Sequence, residues 1–258
     1  MAPFEDDLGR GVRIAKSAGA LALRFWEAGV TAETKPDDSP VTRADRESEA
    51  LIVHALAEQF PEDGILGEEG ARKESRNGRR WIIDPIDGTR DFVRGNRFWA
   101  IMIGLEQEGE TVAGFVHLPA LNEMFYAARG RGAFLNGQQI RVSSISSPSL
   151  AVACIDGLND ISRYPFSSGL CKWLERFWSF RAFGGIVDAM MVARGQAELW
   201  LEPKVAPWDL AAPKVILEEA GARFFNFDGG SSIYGGNCVA CVPALEAEVR
   251  RFLLESGE

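Results

Sequence analysis

The sequence predicts a mixed α and β protein whose sheets are covered by helices in layers. Three observations predict it. Apolar residues near the N-terminus recur at three- and four-residue intervals. From Trp81 the pattern changes to short alternating runs separated by turn residues. Beyond the Ser-rich stretch near 143–149, strand-like and helix-like segments alternate.

In chain order, Leu8, Val12, Ala15, Gly19, Ala22 and Trp26 place one apolar stripe on a helix over residues 4–28. "TAETKPDDSP" reads as a short strand and a polar loop. "VTRADRESEALIVHALAEQF" starts a second helix, with Thr42 and Asp45 at capping-box spacing and Pro61 and Gly64 beyond its end. "GILGEEGARKESRNG" reads as a mobile polar loop. "WAIMIGLE", "TVAGFVHL" and "EMFYAAR" form an antiparallel meander, and "FLNGQQIRV" carries an Asn-Gly hairpin signal. Strands are then expected near 151–155, 178–182 and 197–202, with helices near 167–177 and 185–194. A long helix over about 208–220 ends at Gly221, and "ARFFNF" is the next strand. The 258 residues are read as a single catalytic domain in two lobes, 1–145 and 146–258.

The net charge of −9, from 28 basic and 37 acidic residues, argues against a general nucleic-acid binder. It leaves anionic substrates open, because cations held locally reverse the field of one cleft. The N-terminus lacks a charged-then-apolar leader pattern, and no apolar run approaches a membrane span, so the expected location is cytoplasmic. Cys238 and Cys241 form a lone CxxC, read as buried thiols in an apolar strand. His54 and His117 are the two histidines and are read as structural; there is no GxSxG elbow. Serine-histidine and zinc-histidine catalysis therefore lack their parts.

The chemistry concentrates in "RRWIIDPIDGTRDFVRG", residues 79–95. An apolar strand runs straight into Asp84 and Asp87, so both carboxylates start partly desolvated and repel unless a cation holds them. A stiff turn at Pro85 would aim Asp84, the Ile86 carbonyl and Asp87 at one point, three hard oxygen donors suited to Mg²⁺. Beyond Gly88, backbone N–H groups at Thr89 suit an anion. Asp-Pro and Asp-Gly are also ordinary turn dipeptides, so this segment alone leaves solvated aspartates as an equal reading. Two further acidic positions sit at similar junctions: Glu68 and Glu69 in "ILGEEG", and Asp209 opening the apolar helix of "APWDLAAPKVILEEAG".

With "SPVTRADRESE", "GILGEEG", "WIIDPIDGTRDF" and "APWDLAAPKVILEEAG" in this order, the chain resembles the inositol monophosphatase superfamily over nearly its whole length. The resemblance implies a layered αβαβα sandwich, a homodimer and Mg²⁺-dependent hydrolysis of a small phosphorylated metabolite, with Mn²⁺ able to substitute. It implies that Glu68, Asp84 and the Ile86 carbonyl hold one ion, and that Asp84, Asp87 and Asp209 hold a second. A weaker third ion would share Glu68. Thr89, oriented by Asp45, and Glu68 would activate the attacking water. Gly88 and Thr89 would bind phosphate, and Glu202 and Asp209 would meet the substrate. "DGTRDFVRG", "FWAIMIGLE" and "EPKVAPWDLAA" look most like the bacterial histidinol-phosphate phosphatases of this superfamily. Inositol-1-phosphate and 3′-phosphoadenosine-5′-phosphate hydrolysis are the alternatives, and a non-catalytic binding member of the fold is the alternative of another class.

Three features depart from the histidinol-phosphate pattern: Asp91 for asparagine or serine, Gly70 for an aromatic or hydroxyl residue, and Gly184-Gly185 for Gly-Asp; separately, Pro213, at or just beyond the first turn of the last long helix, is expected to cost one helical hydrogen bond. Asp91 is expected to pair with Arg90 or Arg94 rather than face a cationic substrate amine.

Overall fold

The structure is a computed structural model and describes residues 5–35 and 40–254. The polar loop expected at 36–39 and the first residue of the 4–28 helix lie outside the described residues. Among the described residues the strands form an eight-stranded sheet, a five-stranded sheet and a two-stranded ribbon.

Five layers result. Helices Glu5–Ala28 and Arg43–Gln59 cover one face of the large sheet. Helices Gly185–Ala193 and Pro207–Ala220 lie between the two sheets. The outer face of the small sheet is closed by Leu170–Leu174 and Glu246–Leu254. This is the αβαβα sandwich. Strand periodicity explains it: Trp81 and Ile83 face the outer helices, whereas Ile82 between them faces the inner pair. Ile101 and Ile103 alternate with Ala100 and Met102 in the same way. Strands buried on both faces need helices on both faces.

The large sheet carries the predicted meander, Ala100–Gln107, Glu110–Leu118 and Glu123–Ala128, all antiparallel. Its hairpins turn at Glu108-Gly109 and Asn136-Gly137, where all four residues have positive φ, as two-residue turns between twisted strands require. The small sheet pairs Val152–Ile155 in parallel with both Ser179–Arg181 and Leu199–Glu202. Cys238–Cys241 then adds antiparallel, with Cys238 facing the inner helices and Cys241 the outer ones. Opposite faces keep those thiols from acting on one ligand.

Two expectations are corrected. The segment predicted as a mobile loop contains Gly64–Gly67, a strand parallel to Arg79–Asp87, and Arg72–Lys73, which pairs back on it. Tertiary pairing overrides the Gly-rich composition there, because the neighbouring strand offers a free edge. The helix expected near 167–177 is a 3₁₀ stretch, Pro165–Gly169, followed by the short helix Leu170–Leu174.

One close approach sets the position of the inner helix. Gly104 and Gly114 are cross-strand partners, and a Cβ on either would fall within 2.5 Å of Ala211 or Ala212. Two bare positions facing two alanines let Pro207–Ala220 lie directly on the sheet. Pro213 sits within this helix rather than at its edge. It removes one helical N–H, and close packing of the buried helix against the sheet holds the segment helical despite that loss.

Candidate active site

Asp84 and Asp87 are three apart, and in a regular strand that spacing points side chains to opposite faces. The strand does not stop at Ile83 as its sequence suggests. It runs on to Asp87 through a bulge, with Asp84 opposite Met102 and Asp87 opposite Ala100. The extra residue restores the phase, so both carboxylates face the inner helix layer. Asp84 Oδ1 accepts from the Ile86 N–H at 3.0 Å, which holds the bulge. Gly88 follows at φ 80°, and a Cβ there would lie 2.6 Å from the Phe98 carbonyl oxygen, so only glycine can make this turn.

Asp209 arrives from the inner helix. It is the third residue of Pro207–Ala220, and its Oδ2 accepts from the Ala206 N–H at 2.7 Å. That backbone contact is half of a capping box, and the other carboxylate oxygen is left for the cleft. Oxygens of Asp84, Asp87 and Asp209 lie within 4.8 Å of one another. Glu68, Ile86, Gly88 and Thr89 line the same cavity of about 270 Å³. Glu68 follows the Gly64–Gly67 strand, and its N–H donates to the Ile83 carbonyl at 3.1 Å.

Thr89 Oγ1 lies 3.3 Å from Asp45 Oδ1 and 3.2 Å from the Ile86 carbonyl oxygen. Asp45 is fixed by its own helix start, where Oδ2 accepts from Thr42 N (2.8 Å) and Thr42 Oγ1 (2.6 Å). The capping box read from the sequence thus also orients a site residue. Glu202 stands set back from the cavity, its carboxylate 3.0 Å from where a Gly185 Cβ would be.

Electrostatics describe a site built for cations. Burial, then the charges of Glu68, Asp87 and Asp209, holds Asp84 well above the usual carboxylate range. Burial and Asp209 push Asp87 to about 8, against relief from the Ile186 N–H. Burial raises Asp209 to about 7. Glu202 is also held high, by burial and then by Asp156 and Asp209. Bare carboxylates this close are unfavourable, and hard oxygen donors around one point fit a divalent ion such as Mg²⁺.

Two site neighbours escaped the sequence reading. Lys35 Nζ reaches Glu68 Oε1 (2.8 Å) and Glu69 Oε1 (2.5 Å), a cation beside the acidic cluster. Glu49, 5% exposed, accepts from the Glu69 N–H and the Ala71 N–H, both at 2.9 Å, and so fixes the loop that carries Glu68. Its position one helical turn after Asp45 was the available signal. Glu49→Ala is expected to raise the Mg²⁺ concentration for half-maximal activity roughly tenfold, the usual cost of loosening a ligand's support. A Mg²⁺ titration with unchanged half-saturation would remove Glu49 from that role.

The expected Asp91 ion pair is overturned. Asp91 accepts from Asn96 Nδ2 at 2.6 Å and lines the cavity, and among the described residues no ion pair joins it to Arg90 or Arg94. Arg90, adjacent in sequence, does not share a helix face with it, and Asn96 takes the carboxylate instead. His54 lies near Glu58 at 3.3 Å on an exposed helix face, and His117 contacts the Ala15 carbonyl at 3.2 Å, both away from the acidic cluster.

Comparison with known proteins agrees with this geometry. The inositol monophosphatase family profile matches residues 8–255. The chain is 39% identical to a histidinol-phosphatase of Chlorobaculum parvum over 231 residues, 89% of each chain. It is 37% identical to a histidinol-phosphatase of Mycobacterium tuberculosis over 250 residues, covering 95% of this chain and 96% of that one. Its structure superposes on the extragenic suppressor protein suhB of Bartonella henselae with a TM-score of 0.91 at 29% identity, over 97% and 99% of the two chains.

Proposed function

Because the chain belongs to the inositol monophosphatase family and is a phosphoric monoester hydrolase, we propose that it cleaves a small phosphate monoester with Mg²⁺, histidinol phosphate being the leading substrate. The observation that carries the reading is the convergence of Asp84, Asp87 and Asp209 within 4.8 Å, beside the Thr89–Asp45 pair. Glu68, Asp84, the Ile86 carbonyl, Asp87 and Asp209 would hold two ions, and Mn²⁺ would substitute. When bound, the ions supply charge neutralisation for the ester, an acidified water and stabilisation of the leaving alkoxide.

The chain's own groups do the rest. Thr89 donates its hydroxyl proton to Asp45, which leaves the oxygen free to accept from a water in the cleft. Burial raises the Asp45 carboxyl, with a further contribution from the Glu68 charge, so it takes up a proton more readily than an exposed aspartate. Glu68 orients the same water from the opposite wall. Gly88 and Thr89 offer backbone N–H groups to phosphate oxygens, and Glu202 and Asp209 meet the leaving group. We assign these roles to one catalytic unit of two lobes, 1–145 and 146–258, acting as a cytoplasmic homodimer. No helix among the described residues is long and apolar enough to cross a membrane.

Phosphate release with Mg²⁺ tests this over histidinol phosphate, inositol-1-phosphate, 3′-phosphoadenosine-5′-phosphate and fructose-1,6-bisphosphate. A histidinol phosphate kcat/KM well above the other three is expected. Equal, slow turnover of all four rejects the substrate, and no turnover with metal bound rejects the catalytic reading.

A further inference from the structure

We propose that Arg90 receives the phosphate group of the substrate at the mouth of the cavity. This rests on the phosphatase reading and adds a specificity-determining residue to it. Charge balance is the first reason. Glu68, Asp84, Asp87, Asp91 and Asp209 line the cavity, and among the described residues Arg90 is the one basic residue that lines it with them. Lys35 contacts the cluster but is taken up by Glu68 and Glu69, and it adds no more charge than Glu69 removes. Two divalent ions would set four positive charges against the five lining carboxylates. The surplus negative charge opposes entry of a phosphate dianion into a protein whose net charge is already −9. The Arg90 guanidinium supplies the missing positive charge, and it stays protonated at any working pH.

The second reason is that Arg90 is left without an acid. It is exposed, and among the described residues no carboxylate pairs with it. Its neighbour Asp91 accepts from Asn96 Nδ2 at 2.6 Å instead. Arg94 lies one helical turn on, also exposed and unpaired, where like charges four apart repel. Arg97 follows, again exposed and without an acidic partner. Several exposed arginines elsewhere on this acidic chain do find carboxylates: Arg43 with Glu47, Arg46 with Glu33 and Arg176 with Glu248. Arg90, Arg94 and Arg97 therefore make a basic strip that begins at the cavity wall. Charge of one sign leading into a cleft raises the local concentration of ligands of the other sign. The first member of the strip follows directly on Gly88 and Thr89, the phosphate-binding pair of the phosphatase reading. A phosphate dianion held by those amides has Arg90 as its nearest uncommitted cation in the chain.

The test measures kcat and KM for whichever of the four esters is turned over fastest, in the wild type, Arg90→Gln and Arg90→Lys. Each is assayed at about 0.01 M and about 1 M salt, where charges are felt over roughly 30 Å and roughly 3 Å. Arg90→Gln is expected to raise KM roughly tenfold at low salt with little change in kcat. At high salt it should differ from the wild type by less than about twofold. Arg90→Lys keeps the charge and is expected to recover most of the loss. An unchanged KM in Arg90→Gln overturns the assignment while phosphatase activity stands. A loss that persists at high salt, or that lysine does not recover, also overturns it, because packing rather than charge would then be responsible. If no ester is turned over, the phosphatase reading fails separately. Calorimetric titration of inorganic phosphate in Mg²⁺ at low salt then decides Arg90: weaker binding by Arg90→Gln than by the wild type supports it, and equal binding, or none by either, overturns it.

Discussion

Asp87→Asn is expected to lower phosphate release on the order of a thousandfold at saturating Mg²⁺, the scale of losing one preorganised charge partner in a desolvated site. Asparagine has nearly the same shape and keeps an oxygen for the Ile186 N–H, so the bulge and the contact with the inner helix survive. What disappears is one of three negative charges whose oxygens lie within 4.8 Å. In the metal-free protein that charge is a liability, because Asp84 and Asp209 repel it in a buried place. The same substitution should therefore leave the chelated protein at least as resistant to heat as the wild type at pH 8. Activity falls while metal-free stability holds or rises, a combination that simple unfolding cannot produce. Wild-type turnover in this variant would refute the assignment of Asp87 as a metal ligand, and a lower melting temperature with chelator would show that its role is structural.

Mg²⁺ should stabilise the protein by roughly 5–10 °C at about a hundredfold excess over its dissociation constant at pH 8, and by much less at pH 5. Asp87 is raised to about 8 and Asp209 to about 7, from an ordinary value of 3.8. Between those limits the folded, metal-free protein holds protons that the unfolded chain has released. The contribution of these two groups to metal-free stability is therefore greatest in acid and is lost as pH rises towards 7 to 8. Metal competes with those protons, so its benefit grows as they leave. Melting curves with Mg²⁺ and with chelator, from pH 5 to pH 8, measure the difference directly. An identical Mg²⁺ shift at both ends would mean that the ion binds somewhere other than this cluster.

Much of this was legible in the amino-acid order, and particular residues show why. The Thr42–Asp45 capping box is a four-residue pattern governed by local hydrogen bonding, and it forms as read. The Asn136-Gly137 hairpin is equally local, since left-handed backbone there selects its own residue types. The acidic positions were visible because carboxylates at the ends of apolar segments are costly unless used. Gly64–Gly67 was not legible: a short Gly-rich run becomes a strand only because Arg79–Asp87 presents an edge to it. Asp91 was misread for the same kind of reason, because its carboxylate is taken by Asn96 rather than by a neighbouring arginine.

The sequence by itself determined most of the elements, the covering of the sheets by helices and which oxygen donors are candidates, all set by period, capping and desolvation within short stretches of chain. Only the tertiary structure decided where those donors meet. A one-residue bulge turns Asp84 and Asp87 to the same face, and the Gly104–Gly114 pair lets the Pro207–Ala220 helix close enough to add Asp209. Both depend on contacts between residues far apart in sequence, whose distances no local pattern encodes.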